Sequence, residues 1–183
     1  MDLERTLTLH NVQALVKRYT KSIENIGVTI EGMKGLTLIQ ALKREKVGSG
    51  PYPKVTIFEA ANRIMTDLVI LHGVRWLLKN RTFPFDAYEV EFGNEDKNDF
   101  DLRASGNGRL LVGEAFNVAP SFYQGKKLPM LKKLRKETAD YRVVMVNHDA
   151  VTQGYSPLLE DGLYYVFVNV AASTAKVVPN TGF

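Results

Sequence analysis

Near Pro84 the spacing of apolar residues changes from three-and-four to two, and this switch limits what the chain can fold into. Upstream, Val12, Leu15, Val16, Tyr19, Ile23 and Ile26 recur at helical intervals. They predict an amphipathic helix over 12–26 that ends at Gly27 and carries Lys17, Arg18 and Lys21 on its outer face. A second short helix is expected over about 36–46. Thr56 with Glu59 three residues on forms a capping box. Ile57, Phe58, Ala61, Ile64, Met65, Leu68, Val69, Leu71 and Trp76 make the helix it opens apolar nearly all round, as a central buried helix would be. Downstream, Tyr88, Val90 and Phe92 alternate with Glu89 and Glu91, and Phe100, Leu102 and Ala104 alternate with Asp99, Asp101 and Arg103. A third run spans 110–118. Pro120 stops it, and a basic helix is expected to about Ala139 with Leu128, Leu131 and Leu134 inward. Two more strands follow at 141–146 and 163–170. The expectation is an α/β fold whose mixed sheet contains a three-strand antiparallel meander flanked by helices.

The 183 residues are expected to form a single domain with a helical N-terminal portion over 1–50 and an α/β core over 54–170, separated by a linker-like stretch, Val47 to Pro53. A chain of this length buries about 70% of the surface its unfolded form exposes, so it needs no staple to stay folded. It has no cysteine, which excludes disulfides, zinc knuckles, iron–sulfur ligation and thiol nucleophiles. Asn62, Arg63, Asp67, His72 and Arg75 interrupt the longest apolar stretches, so no membrane span is expected. Met1 to His10 has no apolar signal core and Thr181-Gly182-Phe183 is no lipidation motif, so the expected compartment is the cytoplasm. No GxSxG, GxxxxGK[ST] or HExxH motif is present, and His10, His72 and His148 are isolated from one another.

The net charge of +4 is unevenly distributed. Between Asp86 and Asp101 seven acids (Asp86, Glu89, Glu91, Glu95, Asp96, Asp99, Asp101) face one base, Lys97. Between Lys126 and Lys136 six bases (Lys126, Lys127, Lys132, Lys133, Arg135, Lys136) face no acid. Clustered like charge repels itself unless a counter-charge is present, so the blocks read either as solvated faces or as a cation site beside a polyanion site.

Asn107-Gly108 is the preferred pair for a two-residue hairpin turn, because both residues tolerate positive φ. If it closes a hairpin, facing positions sum to 215: Gly106 with Arg109, Leu102 with Gly113, Asp101 with Glu114. One face then holds Phe100, Leu102, Ala104, Leu111, Gly113 and Ala115, and the other holds Asp99, Asp101, Arg103, Val112, Glu114 and Phe116. Two carboxylates directly opposed are destabilising unless a cation lies between them. Mg²⁺, a hard cation that takes oxygen ligands, answers that need, with Mn²⁺ as a substitute. A wet face partly neutralised by Arg103 or a nearby lysine is the other reading.

An acid at the end of a second strand, a hairpin, apolar residues running into an acid on a third strand, a basic helix and a further strand together resemble the PD-(D/E)xK nuclease superfamily over about 56–146. The resemblance implies a restriction-endonuclease-like core and a Mg²⁺-dependent endonuclease acting on DNA, of restriction or repair type. It maps the metal-binding pair onto Asp101 in Asn98-Asp99-Phe100-Asp101 and Glu114 in Leu111-Val112-Gly113-Glu114-Ala115-Phe116. A further helix acid maps to Glu59, which also has the capping role. No Pro precedes Asp101, and Phe116 stands where the family has its lysine. Lys126 or Lys127 on the following helix are the candidates for a relocated lysine, ahead of Asn117. Lys126, Lys127, Lys132, Lys133, Arg135 and Lys136 would grip phosphates, and Phe122, Tyr123 and Gln124 would stack on or bond to bases. Two other readings are a catalytically inactive nucleic-acid-binding or assembly subunit of the same fold, and a module whose acidic hairpin meets the basic helix of a second copy in a homodimer.

Overall fold

The computed structural model describes residues 4–93 and 99–181. Asn98 and the acidic-block members Glu95, Asp96 and Lys97 lie outside the described residues. The chain forms β1 (Thr6–Thr8), α1 (Val12–Ile23), α2 (Gly35–Arg44), α3 (Ile57–Lys79), β2 (Ala87–Val90), β3 (Leu102–Gly106), β4 (Arg109–Phe116), α4 (Tyr123–Leu134), β5 (Tyr141–Asn147), β6 (Leu163–Asn169) and β7 (Thr174–Val178). It is an α/β fold with one seven-stranded mixed sheet in the order β1-β2-β3-β4-β5-β6-β7. Neighbours are antiparallel except for β4 with β5 and β5 with β6, which run parallel. Among the described residues, no helix is long and apolar enough to cross a membrane.

Side chains alternate along the strands, so the sheet divides the interior into two cores. On one side, Leu102, Leu111, Ala115, Val143, Met145, Val166 and Val168 pack against α3 and α1. On the other, Val112, Phe116, Val144, Val146, Tyr165 and Phe167 pack against Leu131 and Leu134 of α4. The Thr56 hydroxyl accepts a hydrogen bond from the Glu59 N–H (3.2 Å) and starts α3. Gly73 lets that helix lie close to β5, since a Cβ there would meet the Met145 Sδ at 2.3 Å.

Several expectations need correction. Two edge strands, β1 and β7, complete the sheet. β1 is only three residues long, and Ala171, Ala172 and Ala175 blur any alternation leading into β7. The stretch read as a linker is a folded loop: the Val47 N–H donates to the Val55 carbonyl (3.1 Å), the Gly48 N–H donates to the Pro53 carbonyl (3.0 Å), and Val47 is buried in the larger core. α4 ends at Leu134 rather than near Ala139, and Leu128 is exposed. Phe100 packs with the α4 core instead of sharing a face with Leu102, because β3 begins only at Leu102 and alternation does not extend upstream of it.

One polar cluster lies inside the larger core. Asp67 of α3 is fully buried and accepts hydrogen bonds from the Tyr19 hydroxyl (2.5 Å), the Tyr52 hydroxyl and the Gly93 N–H (3.0 Å). Burial outweighs those bonds and pushes its carboxyl up to about 6. Arg63 donates to the Gly93 carbonyl (2.8 Å), so α3 fixes the end of the segment that leaves β2.

The turn at Asn107-Gly108 forms as read, with φ of 52° and 72°, and β3 pairs with β4 at positions that sum to 215. Gly108→Val puts a β-branched side chain at positive φ and is expected to cost about 1–3 kcal/mol, read as a lower urea midpoint at unchanged m-value. An unchanged midpoint would mean that this turn does not hold the register.

Candidate functional site

β4 is central to the sheet, and residues 111–116 are buried on both faces, Glu114 among them at 7% exposure. A wet face is therefore excluded at this position. Glu114 shares its face with Val112 and Phe116. One step beyond the Leu102–Gly113 pair, Asp101 meets the acid-bearing end of β4, where its Oδ2 accepts the Ala115 N–H at 2.8 Å. On the other side, Val90 pairs with Leu102, and the Glu91 N–H donates to the Asp101 carbonyl (3.0 Å), continuing that ladder. Glu91, one residue past β2, Asp101, one residue before β3, and Glu114 in β4 thus follow one another across this part of the sheet.

The counter-charge is Lys133. Its Nζ lies 2.6 Å from Glu114 Oε1 and 4.6 Å from the centroid of the Phe100 ring. Burial pushes the Asp101 carboxyl up to about 7. The Ala115 N–H and Lys133 draw it down, while the charges of Glu114 and Glu91 raise it further. Burial also raises Glu114, opposed by its bond to Lys133 and by the positive charge of Lys126. Two hard-oxygen donors that shed their protons reluctantly, in a partly sheltered position, suit a divalent cation, which would favour the ionised forms of both. Among the described residues, no group of three or more His, Asp or Glu side chains converges on one point, and Asp101 and Glu114 are the two carboxylates that line a shared cavity.

A cavity of about 930 Å³ opens over this pair, between α3 on one side of the sheet and the Pro120–Phe122 turn with α4 on the other. Lys126 lines it. Lys127 and Lys133 are not part of the lining; the Lys127 Nζ donates to the Tyr155 hydroxyl (3.1 Å) and lies 5.2 Å from the Tyr123 ring centroid, away from the two acids. Glu59 is also absent from the lining, since its carboxylate is tied to Arg63 at 2.7 Å. Arg135 is committed to Glu160, whereas Lys132 and Lys136 are exposed. Phe116, two residues after Glu114, belongs to the α4 core, where its ring lies 6.1 Å from that of Tyr123.

Sequence reasoning counted Lys133 only among phosphate-gripping bases and gave Glu91 no role. Lys133 had a signal: Lys126, Met130 and Lys133 recur at four and three, so one stripe of α4 carries the two lysines toward the acids. Glu91 had none: the β2–β3 register that brings it beside Asp101 is seen in the pairing of Val90 with Leu102, with no turn pair in the sequence to set it.

Compared with protein-family models, curated proteins and solved structures, the chain matches none.

Proposed function

We propose that this chain is a Mg²⁺-dependent endonuclease that hydrolyses phosphodiester bonds in DNA, built on the restriction-endonuclease-like plan of the PD-(D/E)xK superfamily. The observation that carries the reading is the sheltered Asp101 and Glu114 pair with the Lys133 ammonium against it. The succession α3, β2, β3, β4, α4, β5, with β4 parallel to β5, supports the plan.

Asp101 and Glu114 would hold the ion, which when bound supplies a polarised phosphoryl oxygen and a more acidic water. Lys133 keeps Glu114 ionised and sets a fixed positive charge where negative charge grows on the phosphorane, the task that Phe116 cannot perform. Lys126 adds a second cation, at the cavity wall. Lys132 and Lys136, exposed on the same helix, would bind flanking phosphates, each adding about 0.9 to the steepness of the log–log salt dependence on duplex DNA.

A plasmid nicking assay with Mg²⁺ and with EDTA tests the reading. Lys133→Met is expected to lower the nicking rate on the order of a hundredfold. Because Lys133 draws both carboxyls downward, its loss should also move the acid limb of the pH–rate profile to higher pH. Lys127→Met, altering a lysine bound to Tyr155, is expected to leave the rate nearly unchanged. If the two variants behave alike, Lys133 does not have this role.

The inactive-subunit reading has its own support: an aromatic core residue at the family's lysine position and a lysine that already neutralises Glu114. It predicts salt-sensitive DNA binding that Mg²⁺ leaves unaltered, and no nick under any divalent cation.

A further inference from the structure

Among the described residues, almost every aromatic side chain is sheltered. The two exposed aromatic rings among the described residues are Phe58, 49% exposed, and Phe122, 68% exposed, and both line the cavity over Asp101 and Glu114. They come from different layers. Phe58 stands in the first turn of α3, and Phe122 in the turn between β4 and α4, on the opposite side of the sheet. Each has a cation for company: the Lys43 Nζ lies 4.0 Å from the Phe58 ring centroid, and Lys126 lines the cavity with Phe122. Asn62, one turn beyond Phe58 on the same stripe of α3, adds an exposed amide to the wall.

We infer that the site takes single-stranded DNA, with unpaired bases stacked on Phe58 and Phe122 and the intervening phosphate carried over Asp101 and Glu114. The inference rests on the nuclease reading for its chemistry but not for its binding. Exposed apolar rings beside lysines are the surface that unpaired bases recognise, since every base offers a π-face and every linkage a negative charge. In a duplex the two faces of each base are already covered by its neighbours, and freeing one costs a few kcal/mol. The cavity is at the upper end of the range of small-ligand sites, which leaves room for a base and its phosphate. Asn62 can bond a base edge, and Thr66, Asn117 and Ser121 add further polar groups to the wall.

The test is fluorescence anisotropy in EDTA, so that no cleavage intervenes, comparing a labelled oligothymidylate with a duplex of equal length. The wild-type chain is expected to bind the single strand about tenfold more tightly. Phe58→Ala and Phe122→Ala should each weaken that binding about tenfold, with Phe58→Trp and Phe122→Trp restoring it. Both rings are exposed, so the alanine variants should melt with the wild type, and the tryptophan variants guard against any loss of fold. Equal affinity for duplex and single strand, or alanine variants that bind as the wild type does, overturns the inference whatever the nicking assay returns. Single-strand binding that follows the two rings supports it even if no metal brings about cleavage, an outcome that would remove the nuclease reading alone.

Discussion

Asp101→Asn is expected to lower Mg²⁺-dependent nicking on the order of a thousandfold while making the protein more stable above neutral pH. On the proposed reading, the loss follows from removing one of the two anionic donors that would hold the ion. The gain follows from the same burial that makes the group a good donor. In the folded chain the Asp101 carboxyl is raised from 3.8 to about 7, so the native state holds a proton that the unfolded state has released. Wild-type stability therefore falls as pH rises through that window, whereas asparagine is exempt. Urea denaturation at pH 8 should favour the variant by about 1–3 kcal/mol, and the two should agree near pH 4. A variant that both nicks normally and shows no difference at pH 8 would show that this carboxylate is neither a ligand nor a burdened group. Glu114→Gln is expected to match it in activity, but it also leaves the Lys133 ammonium without its carboxylate, so its stability should gain less.

Asp67→Ala is expected to be the most destabilising single substitution, at about 3–5 kcal/mol, out of the roughly 5–15 kcal/mol that separates folded from unfolded domains. Truncation leaves the Gly93 N–H without its carboxylate and the Tyr19 and Tyr52 hydroxyls with only each other in a largely apolar core. Burial holds both tyrosines well above their ordinary range, so neither can relieve the loss by ionising. Asp67→Asn keeps one carbonyl acceptor and should cost less. With its carboxyl raised to about 6, Asp67 itself makes the wild type less stable as pH rises from about 4 through 6, a slope that both variants should lack. A urea midpoint for Asp67→Ala close to that of the wild type would mean that the three donors find other partners.

The parts of the fold that could be read in the sequence are those set by local chemistry. A two-residue turn dictated the register of β3 and β4 and hence the company of Asp101 and Glu114. A capping residue and an all-round apolar pattern gave α3. What could not be read depended on the layers meeting. Lys127 and Lys133 are indistinguishable as letters. Which of them reaches the acids depends on the roll of α4, which Leu131 and Leu134 fix by their burial, while Tyr155 from a distant loop takes Lys127. Glu59 carried a helix-start signal and a family role at once, and Arg63 one turn on claims its carboxylate. Phe58 counted as core because its neighbours in the pattern are, yet it sits at the end of α3 that overhangs the sheet. Phe100 shows the limit of alternation: the rule holds within a strand and lapses one residue before it begins.

The strand order is also the chain order. As the polypeptide leaves the ribosome, each new strand can dock beside its predecessor, and none must be threaded between two already joined. The acid row is complete once Phe116 has emerged, but at that stage β4 is a border strand with apolar residues on both faces. Until β5 arrives its free amides and carbonyls are open to any passing strand, so a fragment cut after α4 should precipitate where the whole chain does not.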